Sequence, residues 1–157
     1  LRQVSRNECI QLAPMIEEIF TDLAPLAEER GITLERDGDG VLTGSDALIY
    51  RLLFNLTENA VKYNRPGGSV RISVTPAETE DAILVLVTDT GRGIPEEFRR
   101  SIFQPFFRVD SSRSREYGGA GLGLSLVWEI AALHGGAVWV EESSEKGTAI
   151  AVKLSAR

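Results

Sequence analysis

Asn55-Leu-Thr-Glu-Asn59-Ala-Val-Lys62-Tyr63 is the stretch on which the reading of this chain turns. It lies inside a helical pattern expected to run over 46–64, because Ile49, Leu53, Leu56 and Ala60 recur at i, i+4, i+7 and i+11 and give one apolar face. On such a helix Asn55, Asn59 and Lys62 fall at i, i+4 and i+7, a polar stripe beside the buried face. Interior asparagine lowers helix propensity by up to roughly 0.7 kcal/mol relative to alanine, so two on one stripe invite a reason. One reason is a metal site. Magnesium takes a few oxygen ligands and keeps waters, and neutral amide oxygens suit it when phosphates bring the charge. Lys62 would then neutralise phosphate as a point charge. An exposed polar face with Glu58 and Lys62 as an i, i+4 ion pair accounts for the same residues.

Downstream, Pro66-Gly-Gly68 stops the helix. Val70, Ile72 and Val74 then alternate as a half-buried strand, and residues 82–87 form a continuous apolar run suited to the middle of a sheet. That run ends on Asp89-Thr-Gly91-Arg-Gly93. A carboxylate there can accept a hydrogen bond from an exocyclic amine, which selects adenine over guanine, and the glycines let backbone approach a flat ring. A plain Asp-x-Gly turn would look the same. Further on, Gly118-Gly-Ala-Gly-Leu-Gly123 leads into a helix expected over 121–134, where free amides and a positive helix end attract an anion. No lysine follows these glycines as in a P-loop, and no strand precedes them as in a dinucleotide fingerprint. Between the two glycine clusters, residues 94–118 lack a sustained period and read as a mobile lid. Arg92, Arg99, Arg100, Arg108, Arg113 and Arg115 fall in or beside it, either as a solvated basic loop or as a segment closing over phosphates. The chain closes as a hairpin of Val138-Trp-Val140 with residues 148–154.

Upstream, Pro14 suits a first helical position, and Ile16, Ile19, Leu23 and Leu26 recur at helical spacing until Gly31. Ile32-Thr-Leu34 and Val41-Leu42 flank Asp37-Gly-Asp-Gly40 and read as a short hairpin. Together the elements predict an α/β (α+β) two-layer sandwich. A mixed, mostly antiparallel sheet of five or more strands would carry three helices on one face. Residues 1–6 read as the remnant of an upstream helical linker or dimerisation domain, and 7–157 as one catalytic domain.

Composition sets bounds on function. The 157 residues are 43% apolar and 25% charged, ordinary for a globular domain. A net charge of −6 argues against a general nucleic-acid binder. The lone cysteine, Cys9, excludes an internal disulfide framework and reads as buried filler. His134, the only histidine, sits in the last turn of a helix and reads as structural. A single histidine supports neither a catalytic triad nor a histidine metal site.

In order and spacing these motifs resemble the catalytic and ATP-binding domain of sensor histidine kinases, a superfamily shared with gyrase, mismatch-repair and heat-shock-chaperone ATPases. Residues 55–63 resemble its N box, 89–95 its first glycine box and Phe103-Gln-Pro-Phe-Phe-Arg108 its F box. Gly119-Ala-Gly-Leu-Gly-Leu124 resembles the second glycine box, and Gly147-Thr148 the terminal element. The resemblance implies that Asn59, assisted by Asn55, binds Mg2+. Lys62 and Arg108 would contact phosphates, and Asn55, Asn59, Lys62 and Arg108 would form the catalytic set. Tyr63 would pack on adenine, Asp89 would take its amino group, and Gly91 and Gly93 would shape that pocket. Ile94, Phe103, Arg113, Gly119, Gly121, Leu122, Gly123, Leu124 and Thr148 would complete the ATP site and its lid. The superfamily's hydrolases carry a water-activating glutamate four residues before the metal asparagine. Asn55 stands there instead and cannot act as a base. Glu58 is about 100° around the helix from Asn59, poorly placed to replace it. The implied reaction is transfer of the ATP γ-phosphate to a histidine on a separate dimerisation domain, within a two-component system that includes a response regulator. The implied setting is a cytoplasmic domain of a parent anchored in the bacterial cell membrane. An anti-sigma-type serine kinase or an ATP-binding regulatory module of the same superfamily is the other reading.

Overall fold

A computed structural model of the chain describes residues 7–78, 81–104 and 124–156. The main sheet has the strand order β2-β4-β5-β7-β6, formed by β2 (Thr33–Gly38), β4 (Ser69–Pro76), β5 (Ala82–Asp89), β7 (Gly147–Ser155) and β6 (Ala137–Ser144). Only the β2–β4 pair is parallel; the other three pairs are antiparallel. Helices α1 (Leu12–Arg30), α2 (Asp46–Lys62) and α3 (Ser125–Leu133) pack on one face, with α2 between the others and over β4 and β5. The expected two-layer sandwich is therefore the fold. The apolar run 82–87 lies on the central strand, where every second residue is buried under α2 and Leu84 and Leu86 are half-buried on the open face.

The hairpin expected around Asp37-Gly-Asp-Gly40 does not form. Strand β3 (Val41–Gly44) pairs instead with β1 (Glu8–Gln11), while β2 runs parallel to β4. The turn between β2 and β3 is recruited by α1. Gln11 gives that helix no side-chain cap. The Asp39 carboxylate accepts from the Ala13 N–H at 3.0 Å, and the Gly40 carbonyl accepts from the Leu12 N–H at 3.0 Å. Two orphan amides of α1 are thus satisfied by a loop distant in sequence. Gly38, at φ 81°, turns so close to β4 that a Cβ would lie 2.0 Å from the Val74 carbonyl oxygen. Pro14 is consequently the third residue of α1 rather than its first. Gly31 ends α1 as expected, in the left-handed region at φ 70°.

Cys9 is exposed, against the expectation of buried filler. Strand alternation gives the reason: Ile10 takes the inward position of β1, so its neighbour faces out. His134 is structural, as expected. Its Nε2 accepts from the N–H of Ser45, the N-cap of α2, at 3.0 Å, so its Nδ1–H donates to the Ile130 carbonyl at 2.9 Å. The ring ties the end of α3 to the start of the helix that carries the asparagines.

Candidate functional site

Helix α2 begins on a capped serine, Ser45 Oγ accepting from Leu48 N–H at 3.3 Å, and buries Ile49, Leu53, Leu56 and Ala60 against the sheet. The rotation that buries this face leaves Asn55 and Asn59 half-buried on one flank and Lys62 exposed at the last turn. The Lys62 carbonyl is held by Arg30 Nη2 at 2.7 Å, which ties the ends of α1 and α2 together.

One pocket lies where α2, β5, β7 and the loop after β5 meet. It is lined by Leu56, Asn59, Ala60, Tyr63, Val87, Asp89, Gly93, Ile94, Leu124, Thr148 and Ile150. Seven of the residues expected from the sequence are therefore together: Asn59, Tyr63, Asp89, Gly93, Ile94, Leu124 and Thr148. Gly91 packs behind this wall, where a Cβ would lie 2.6 Å from the Tyr63 carbonyl oxygen. Asn55 and Lys62 belong to the same helical stripe but are not pocket walls. Phe103 is buried elsewhere, its ring 5.8 Å from that of Trp128. Arg108, Arg113, Gly119, Gly121, Leu122 and Gly123, with most of the expected lid, lie outside the described residues.

Among the described residues Asp89 is the one carboxylate lining this cavity, whose other polar walls are Asn59, Tyr63 and Thr148. Burial is the largest influence on it and raises its pKa from 3.8 to about 6, against the pull of backbone N–H groups of Gly91 and Thr148. Its Oδ1 accepts from the Gly91 N–H at 2.8 Å. A polar knot fixes the approach. Thr90 Oγ1 bonds Asn64 Oδ1 at 2.9 Å and accepts from the Ser69 N–H at 2.9 Å, while Asn64 Nδ2 donates to the Ser69 carbonyl at 2.9 Å. This pins the end of α2, and so Tyr63, to the end of β5, and so Asp89. The Tyr63 phenol is half-buried, and its pKa is raised first by burial and then by the charge of Glu58. A neutral ring of that kind suits stacking on a heterocycle.

Arg99 does not serve a phosphate-facing role here. Its Nε donates to the Ile94 carbonyl at 3.0 Å and its Nη2 to the Ser143 carbonyl at 2.9 Å. Sequence reading gave no hint of Ser143, nor of the apolar walls Leu56, Ala60, Val87 and Ile150, whose residue types are those of any core. Among the described residues no group of three His, Cys, Asp or Glu side chains could hold a metal. A cation at this site would rely on the amide oxygens of α2 and on the ligand's own phosphates, a donor set that suits magnesium.

Comparison with known proteins places this geometry. Residues 44–157 match the family model described as histidine kinase-, DNA gyrase B-, and HSP90-like ATPase. The hybrid signal transduction protein DokA of Dictyostelium discoideum is 39% identical over 90% of the chain and 9% of its own length. The sensor histidine kinase WalK of Bacillus subtilis is 40% identical over 68% of the chain and 17% of its own length. The chain thus spans a small part of these curated relatives. Among solved structures, the catalytic domain of the histidine kinase ThkA superposes with a TM-score of 0.81 at 25% identity, covering 96% of this chain and 95% of that one. With its family model matched over most of its length and its fold shared with a histidine kinase catalytic domain, the chain belongs to the histidine kinase-, DNA gyrase B- and HSP90-like ATPases.

Proposed function

We propose that the chain is the ATP-binding catalytic domain of a two-component sensor histidine kinase. It would bind Mg-ATP and pass the γ-phosphoryl group to a histidine on a separate helical domain of its parent. The observation that carries this reading is Asp89, a largely buried carboxylate held by the backbone N–H groups of Gly91 and Thr148 and lining the same pocket as Tyr63 and Ile94. The carboxylate would accept from the adenine amino group while Tyr63 and Ile94 cover the ring, and Thr148 borders the same cavity. Asn59 and Asn55 would hold the metal ion through their amide oxygens. Bound there, magnesium would offset charge on the phosphates. Lys62 stands exposed at the end of the stripe and would meet the phosphates as a point charge, joined by Arg108 and Arg113.

Asn55 shapes the outcome. An amide cannot take a proton from water, so the pocket holds ATP without a built-in general base. The incoming imidazole nitrogen would form the bond to the γ-phosphorus, and the bridging bond to the β-phosphate would break with its electron pair leaving on ADP. Catalysis then rests on positioning and charge neutralisation. The partners on this reading are the acceptor histidine domain and, downstream, a response regulator. Membrane anchoring would belong to the parent: no helix among the described residues is long and apolar enough to cross a membrane.

The test mixes the chain with γ-labelled ATP and the helical domain of its parent. Acid-labile, alkali-stable label on a histidine is the expected result. Label on serine, or free phosphate alone, would overturn the proposal in favour of a serine kinase or a hydrolase.

A further inference from the structure

We infer that Ser143 and Arg99 are positioning residues that set base selectivity by fixing the Ile94 wall of the pocket. The inference rests on the assignment of that pocket to ATP.

Ile94 belongs to no helix or strand, yet both of its backbone polar groups are satisfied by side chains. Its N–H donates to Ser143 Oγ at 2.7 Å, and its carbonyl accepts from Arg99 Nε at 3.0 Å. Arg99 Nη2 donates in turn to the Ser143 carbonyl at 2.9 Å, which closes a ring of three hydrogen bonds between the loop after β5 and the end of β6. Ser143 Oγ also lies 2.8 Å from Thr148 Oγ1, so two pocket walls, Ile94 and Thr148, share one hydroxyl.

A β-bulge makes this possible. Val138 and Val140 pair with Val152 and Ile150 and face the helices. Regular alternation would next turn Glu142 and then Ser144 inward. The register shift between Val140 and Glu142 instead sets Ser143 opposite Thr148, on the inward face. The loop has no slack against this strand end, since Gly93 sits at φ 85° where a Cβ would lie 2.0 Å from the Ser144 carbonyl oxygen. Sterics bring the loop and strand together, and the three hydrogen bonds set where Ile94 stops.

The consequence is selectivity. Asp89 discriminates an amino from a keto group only while the ring is held in register with it. A displaced Ile94 lets the ring shift, and a purine bearing a keto group regains ground against ATP.

The experiment measures ATP and GTP affinity by calorimetry for the unaltered chain, Ser143→Thr, Ser143→Val, Arg99→Leu and the Ser143→Val/Arg99→Leu double variant. Threonine and valine share a shape and differ in the hydroxyl. Ser143→Thr should keep the ATP/GTP ratio, whereas Ser143→Val and Arg99→Leu should each narrow it by about tenfold. Because the bonds form one ring, the double variant should be little worse than the poorer single one. Equal ratios for Ser143→Thr and Ser143→Val, or single effects that multiply in the double variant, would overturn the inference. Should Ser143→Val fail to fold while Ser143→Thr folds, an Arg99→Leu chain with an unchanged ratio still overturns it. Failure of the unaltered chain to prefer ATP would count against the ATP assignment itself.

Discussion

Asp89→Asn is expected to lower ATP affinity by at least about tenfold while stabilising the ligand-free domain. Two effects with one cause are involved. Asparagine can keep an oxygen toward the Gly91 N–H, the bond that Asp89 Oδ1 makes at 2.8 Å. Its other terminus is then an NH2 group, a donor facing the donor of adenine, and a charge-assisted hydrogen bond becomes a repulsion. The stabilising effect follows from burial, which raises the Asp89 carboxyl from 3.8 to about 6. Between those values the folded apo protein holds a proton that the unfolded chain has released. Its stability therefore falls as pH rises through that window and stays lowered above it. Removing the carboxylate should recover on the order of 2–3 kcal/mol at pH 7, seen as a higher melting temperature without nucleotide. Because the base's amine needs the ionised form, ATP affinity of the unaltered chain should also weaken below about pH 6, and this dependence should shrink in Asp89→Asn. Unchanged affinity in calorimetry would remove Asp89 from the site.

Asn59→Ala is expected to abolish the magnesium-dependent part of nucleotide affinity. Asn59 lines the pocket one turn from Asn55, and no acidic or histidine cluster among the described residues could substitute for it. Alanine is the better helix former by up to about 0.7 kcal/mol, and the melting temperature of the variant, measured alongside, separates a lost metal site from lost folding. Titrations of ATP with magnesium and with a chelator measure the effect. The two curves should differ for the unaltered chain and coincide for Asn59→Ala. A persisting difference would show that the metal is held elsewhere.

Much of this architecture was legible from residue pattern. The period of Ile49, Leu53, Leu56 and Ala60 placed α2 and its polar stripe, and the apolar run 82–87 marked the central strand. Pairing partners were less legible. Residues 33–44 look like a hairpin because two strand-like runs flank a glycine turn, and alternation says nothing about which strand lies alongside. The need of α1 for N-terminal caps, met by Asp39 and Gly40, decides the outcome. Cys9 was misread for a related reason, as apolar neighbours in sequence lie on opposite faces of a strand. At the site, distinctive chemistry marks some residues, while generic ones are legible only where they sit inside a recognisable motif, as Ile94 and Leu124 do. Asp89 and Asn59 stand out, whereas Val87 and Ile150 are indistinguishable from core residues. Ser143 reaches the pocket only through a bulge, a one-residue shift that composition does not announce.

The central claim is that the largely buried carboxylate of Asp89 reads adenine in this pocket, and one calorimetric comparison tests it most directly. ATP and GTP are titrated separately into the unaltered chain at neutral pH with magnesium. The account predicts saturable ATP binding and GTP binding weaker by at least about tenfold, because a keto oxygen would face the Asp89 carboxylate. Equal affinity for the two nucleotides, or a preference for GTP, would contradict it.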